Sequence, residues 1–228
     1  MFAAPNALLT IPKPSGIKAK PVITGTAAYL TSNGTIPAHA VGDMIIVAAY
    51  RIATVQLIGK PSASGTIPTW NDLDAAASVA GTSNSLDSFY TIATATNHTT
   101  GTFSGAGIIL IIVIRGQAAS PLGGHSEADG GTSTTQVVSP SITLSVNDGS
   151  SLLLYIGAHR TSVSAIAAAP SGWTRVQDPT VTGGSSMLPG QMMFLNTKDD
   201  STSAGAMTQL VTASNSSMRG NTIEILAA

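Results

Sequence analysis

The chain has 228 residues and a nearly balanced charge, 10 Lys and Arg against 11 Asp and Glu for a formal net charge of −1, so it has no basic field to attract nucleic acid and no acidic field to steer cations. Charged residues make up only 9% of it, against about 25% in ordinary soluble proteins, so its surface is predicted to be mostly hydroxyl and amide. The absence of cysteine excludes a disulfide framework, a thiolate nucleophile and the usual structural zinc site.

Residues 1–21 contain Pro5, Pro12, Pro14 and Pro21 together with Lys13, Lys18 and Lys20. That composition favours extended or polyproline-like backbone, and an N-terminal arm is expected. The opening MFAAPNALLTIPKP lacks a basic leader region, and Pro5 and Pro12 interrupt its apolar stretch, so no signal peptide is expected there. No apolar run reaches the roughly 20 residues of a membrane-spanning helix, and no membrane partner is expected.

From Val22 onward, β-rich segments alternate with turn clusters such as Ser32-Asn33-Gly34, Asn147-Asp148-Gly149 and Thr182-Gly183-Gly184. Strands are predicted near 22–30, 34–37, 43–51, 54–58, 87–95, 106–115, 135–145, 151–160, 173–177, 190–197, 206–213 and 220–226. The segment Asn71 to Ala80 reads as a short capped helix or, equally, as a loop. The unbroken aliphatic run from Ile108 to Ile114 predicts a strand buried on both faces, with weaker echoes in MIIVAAYR (Met44 to Arg51) and LLLYIGAHR (Leu152 to Arg160). An Arg closes each of the three where the strand leaves the core.

Four segments recur in order. GDMIIVAAYR matches SSLLLYIGAHR, IPTWNDL matches PSGWTRV, SFYTIATATNHTTGTF matches QMMFLNTKDDSTSAGAM, and GIILIIVIRG matches RGNTIEILAA, at a spacing of about 103 to 115 residues. Two equivalent halves of alternating strands suit a pair of face-packed antiparallel sheets. The expected fold is therefore all-β: a two-sheet antiparallel β-sandwich, jelly-roll-like, with an internal pseudo-repeat, forming one domain over residues 22–228 behind the arm. Trp70 and Trp173 stand at equivalent points of the repeat, each after a proline-containing turn, and are expected to plug the core or a sheet end.

Few residues suggest chemistry. In the segment Gly123 to Gly131, His125, Glu127 and Asp129 would project to one side of an extended backbone and are the candidate metal ligands. The flanking glycines favour a loop that orders at a subunit contact, and no metal, cofactor or catalytic residue is assigned. Asp43 and Asp148 each precede a strand, where a carboxylate accepts hydrogen bonds from turn amides. Asp199 and Asp200 read as solvated turn residues. Glu127 and Glu224 have no context that would make them a glycosidase pair, and no hydrolase elbow, zinc-protease or phosphate-loop motif occurs.

The order IPAHAVGDMIIVAAYR, a PTW turn, the strand with Phe89-Tyr90, the apolar strand ending Ile114-Arg115-Gly116, then DGSSLLLYIGAHR and Pro170-Ser171-Gly172-Trp173-Thr174 resembles β-sandwich proteins among the virion structural proteins of tailed bacteriophages. In that family the matching elements read GDLLLAF, P-SGWT and YRG; here the first Trp turn lacks the Gly, and Ile114 stands where the Tyr is usual. The resemblance spans roughly residues 30 to 226. It implies a non-enzymatic virion subunit, in the tail, fibre or baseplate or decorating the head, that contacts copies of itself and other virion proteins. A different expectation is a carbohydrate- or receptor-binding module for a host-surface glycan, with Tyr50, Tyr90 or Trp173 as platforms.

Overall fold

The computed structural model describes residues 18–52, 58–73, 84–129, 134–160, 166–177, 191–198, 203–215 and 218–228, and every regular element among them is a β-strand. The first half supplies β1 (Val22–Tyr29), β2 (Met44–Arg51), the short β3 (Asn71–Asp72), β4 (Ser85–Ile92) and β5 (Ile108–Arg115). They form one antiparallel sheet in the order β1-β5-β2-β4-β3. The second half supplies β6 (Gln117–Asp129), β8 (Leu152–Arg160), β9 (Thr174–Gln177), β10 (Gln191–Lys198) and β12 (Met218–Ala227), in the order β6-β12-β8-β10-β9. Between them in sequence, β7 (Thr134–Ser139) and β11 (Met207–Asn215) pair as a separate two-stranded sheet.

Counted within its own half, each five-stranded sheet reads first, fifth, second, fourth, third. The sequence repeat is thus a repeat of topology, and each half folds into one layer of the sandwich. The layers face each other across a shared core of Met44, Ile46, Leu110, Ile112, Leu154, Ile156, Ile223 and Ile225. Edge β1 lies against edge β9, where the Thr26 hydroxyl donates to Gln177 Oε1 at 2.8 Å. At the other side Asn221 of β12 donates to Ser88 Oγ of β4 at 3.1 Å. First-half strands therefore meet their second-half counterparts in reversed order, as a pseudo-two-fold through β2 and β8 requires.

Side chains alternate across a strand, so Ile45, Val47, Ile109, Ile111 and Val113 point away from the shared core. They are nonetheless buried, under Ile36, Ile58, Trp70 and Phe103 from the connecting loops. Each full burial of an Ile contributes on the order of 2 kcal/mol, and a strand buried on both sides gains this at every position. That is the reason for an unbroken aliphatic run where a half-solvated strand would alternate. The outer face of the second sheet is covered equivalently: Tyr155, Phe194 and Met218 pack under Val137, Val211, Ile166 and Trp173.

The two tryptophans cover equivalent outer faces. Trp70, 2% exposed, donates its indole N–H to the Thr100 carbonyl at 3.1 Å. Trp173 meets Tyr155 edge to face at 6.2 Å and 84°, and the Tyr155 hydroxyl donates to the Val137 carbonyl at 2.7 Å.

A single residue, Gly116, carries the chain from the first sheet to the second, at φ +85°. Glycine alone takes that left-handed conformation without steric cost.

Several expectations differ from the structure. Residues 34–37 are irregular. Asn71–Asp72 pair with Tyr90 and Phe89 as a strand rather than opening a helix, and 74–80 lie outside the described residues. The strand expected over 135–145 stops at Ser139, and the segment expected as a loop around His125 is the interior of β6. Of the arm, residues 18–21 are described and irregular: the Lys20 ammonium donates to the Lys198 carbonyl at 3.1 Å, and that of Lys18 to the Ala227 carbonyl at 3.5 Å.

Candidate functional site

The candidate metal ligands are built on β6, which keeps positions 125, 127 and 129 on one side, as alternation demands. Opposite them in register stand Ile223, Asn221 and Arg219 of β12. The Glu127 carboxylate lies 4.0 Å from the Arg219 guanidinium. Arg219, 2% exposed, in turn donates from Nε to Asn84 Oδ1 at 2.7 Å. Glu127 therefore belongs to a buried ionic cluster that ties the second sheet to the start of β4. Among the described residues no three His, Asp or Glu side chains converge, and the Asp129 side chain lies outside them.

Glu224 is fully buried and its two oxygens meet four donors: the backbone N–H groups of Gly124 (2.9 Å), Ser145 (2.7 Å) and Val146 (3.2 Å) and the Ser151 hydroxyl (3.0 Å). Residues 140–146 lie over the outer face of the second sheet and are fastened there by this carboxylate. It is a structural clamp, sealed from any substrate.

Both aspartates predicted to hold turns do so. Asp148 Oδ1 accepts from the Ser150 N–H at 2.9 Å and the Ser150 hydroxyl at 2.6 Å. Asp43 accepts from the Ala40 N–H at 2.7 Å and from Arg115 in bidentate geometry, Nε and Nη2 each at 2.8 Å. The Arg115 guanidinium holds the Asp43 carboxyl below the usual carboxylate range, outweighing the opposite effect of its burial. A depressed folded-state value means stability that is present above the unfolded-state value and lost as pH falls through the folded one. In urea unfolding followed from about pH 6 to about pH 2.5, Asp43→Asn is expected to weaken the acid-induced loss of stability. An unchanged acid limb would show that the pair contributes nothing. Asp199 and Asp200 lie outside the described residues.

Of the aromatics considered as sugar platforms, Tyr50 is fully buried in the shared core and cannot meet a ligand. Trp173 is half-buried against Tyr155, and Tyr90 packs partly against the core.

Among the described residues, three surface grooves stand out. One of about 270 Å³ follows the β1/β9 seam, lined by Lys20, Pro21, Val22, Ile23 and Val176. Its pseudo-symmetric mate, about 320 Å³, lies between β6 and β3–β4, lined by Pro121, Leu122, Asn71, Tyr90 and Ile92. The third, about 500 Å³, is a polar groove at the loop end of the first sheet, lined by Tyr29, Asn33, Thr35, Thr99 and Thr102. Sequence reasoning missed all three. The hint was a proline at each edge strand, Pro21 directly before β1 and Pro121 within β6, each lining its groove.

The architecture is that of an antiparallel β-sandwich with both outer faces covered by the chain's own segments. Compared with family models, curated proteins and solved structures, the chain matches none.

Proposed function

We propose that this sandwich is a structural protein of a tailed bacteriophage virion that acts by assembly, in the tail as a minor tail, fibre or baseplate component. A capsid decoration role is its nearest variant. The observation that supports assembly is the sealing of both sheet faces from within. What the molecule offers a partner is its seams and loop ends, carrying few charges, with Val22 54% and Val176 38% exposed beside each other along the β1/β9 seam. A neutral surface with exposed apolar edge residues suits a subunit held permanently against copies of itself or a neighbouring virion protein better than a free monomer.

Light scattering on the full-length protein is expected to give a defined oligomer, and the double variant Val22→Asp, Val176→Asp is expected to shift it toward monomer without changing the thermal midpoint by more than a few degrees. Mass-spectrometric copy number in particles then separates the two locations, hundreds of copies for the head and a few to tens for the tail. A wild-type chain that stays monomeric and is absent from particles would overturn the proposal.

The polar groove beside Tyr29 favours one second reading, a module that binds a neutral glycan through hydroxyl and amide contacts. Silence of the wild-type protein across a broad glycan array would remove it.

A further inference from the structure

Two histidines from different loops lie face to face at the loop end of the first sheet. His39 sits in the connection from β1 to β2 and His98 in that from β4 to β5, their rings parallel to within 6° with centroids 5.9 Å apart. Both are partly buried. The surroundings of each ring admit one tautomer. His39 Nδ1 lies 2.9 Å from the Pro37 carbonyl, which can only accept, so Nδ1 carries the proton; Nε2 accepts the backbone N–H of His98 at 3.3 Å. His98 repeats the pattern. Its Nδ1 donates to the Thr66 carbonyl at 3.0 Å, and its Nε2 accepts the N–H groups of Thr94 at 3.1 Å and Ala95 at 3.2 Å, with the Thr94 hydroxyl 3.2 Å away.

A neutral imidazole has one donor and one acceptor nitrogen, and both rings in the Nδ1–H form satisfy every one of these partners. An imidazolium has two donors and no acceptor. Protonating either Nε2 would set N–H against backbone N–H, and protonating both would stack two cations with ring centroids 5.9 Å apart.

The charged group facing the pair from the turn before β2 is Asp43, whose carboxylate is engaged by Arg115 of β5 and the Ala40 N–H. Thr66, from the loop before β3, and Thr94 and Ala95, from the loop of His98 itself, bond His98 and are uncharged.

We propose that this stacked pair is an acid-sensitive latch. With both rings neutral it ties together the loops that carry His39, Thr66 and His98. Protonation releases them and opens the polar groove along its strip from Thr99 to Thr102, which begins next to His98. Released loops bind protons that the latched ones exclude, so acid shifts the population toward the open form. Histidine is the side chain whose charge changes in this way near neutral pH. The sheets, held by their own core, are unaffected. The latch belongs to this loop end whichever surface assembles.

The chain has 4 histidines, so long-range proton–nitrogen spectra of the imidazoles can be assigned directly. At about pH 8 both His39 and His98 are expected as Nδ1–H tautomers, and hydrogen-exchange protection at the Thr94, Ala95 and His98 amides is expected to fall by about tenfold as the rings titrate. In His98→Gln, which has no titrating ring at that place, protection at Thr94 and Ala95 should no longer depend on pH. An Nε2–H tautomer for either ring at neutral pH, or wild-type protection that survives titration of both rings, would overturn the latch.

Discussion

Glu224→Leu is expected to be among the most destabilising single substitutions in this protein, lowering unfolding free energy by about 4 kcal/mol or more. Glu224 stands on the outer face of β12 with Thr222 and Gly220, and all three contact one covering segment. The Thr222 hydroxyl donates to the Pro140 carbonyl at 2.9 Å and also bonds the Ser139 hydroxyl. The Glu224 carboxylate binds the amides of Ser145 and Val146. A leucine would leave three part-buried backbone N–H groups and the buried Ser151 hydroxyl without their acceptor, an unmet buried donor costing roughly 1–3 kcal/mol. Glu224→Gln keeps one oxygen but turns an NH₂ toward N–H donors, so an intermediate loss is expected. Urea unfolding measures both, and hydrogen exchange at Gly124, Ser145 and Val146 should report local release first. A Leu variant within about 1 kcal/mol of wild type would show that the clamp is not needed.

Gly220→Val is expected to cost about 3 kcal/mol by overpacking. A Cβ at this position would stand 2.2 Å from the Val138 carbonyl oxygen and 3.2 Å from Ser139 Cα. Those are backbone atoms, so no rotamer change relieves the collision, and β7 must lift off the second sheet. Gly220 pairs in register with Gly157, where a Cβ would meet the Phe194 ring at 2.0 Å. Two facing glycines thus let a strand and an aromatic ring lie directly on sheet backbone. Gly205→Ala is the control: a Cβ there meets nothing within 4 Å, and a change within about 0.5 kcal/mol is expected. Equal effects at 205 and 220 would refute the close-approach argument.

The two sheets show how one topology is completed with different chemistry. Met44 pairs with Ile114 in the first sheet and Leu152 with Ile225 in the second, so Ile109, Ile111 and Val113 occupy the places of Gly220, Thr222 and Glu224. The first row is covered by apolar side chains and the second by a hydrogen-bonded segment. GIILIIVIRG therefore announces a doubly buried strand. TIEI (Thr222 to Ile225), in which polar and apolar residues alternate, reads like a strand with one wet face, although that face is covered by residues distant in sequence. The same blindness applies to the histidine latch: β2, β3 and β4 separate His39 from His98 in sequence, and nothing local to either marks it as half of a stacked pair.

By itself the sequence determined the all-β class, the duplicated strand pattern, the doubly buried character of β5 and the turn roles of Asp43 and Asp148. Each follows from local sterics, side-chain alternation or hydrogen bonding within a few residues. Only the tertiary structure decided that each half forms its own sheet, that residues 134–146 cover the second outer face, and which seams stay open. It also decided that the segment around His125 is a strand, where the glycines serve close approach: a Cβ on Gly124 would stand 2.1 Å from the Thr143 carbonyl oxygen. Those outcomes depend on which distant segments meet. Contacts of that kind are selected by the burial and hydrogen-bond satisfaction of the whole chain, and no local pattern records them.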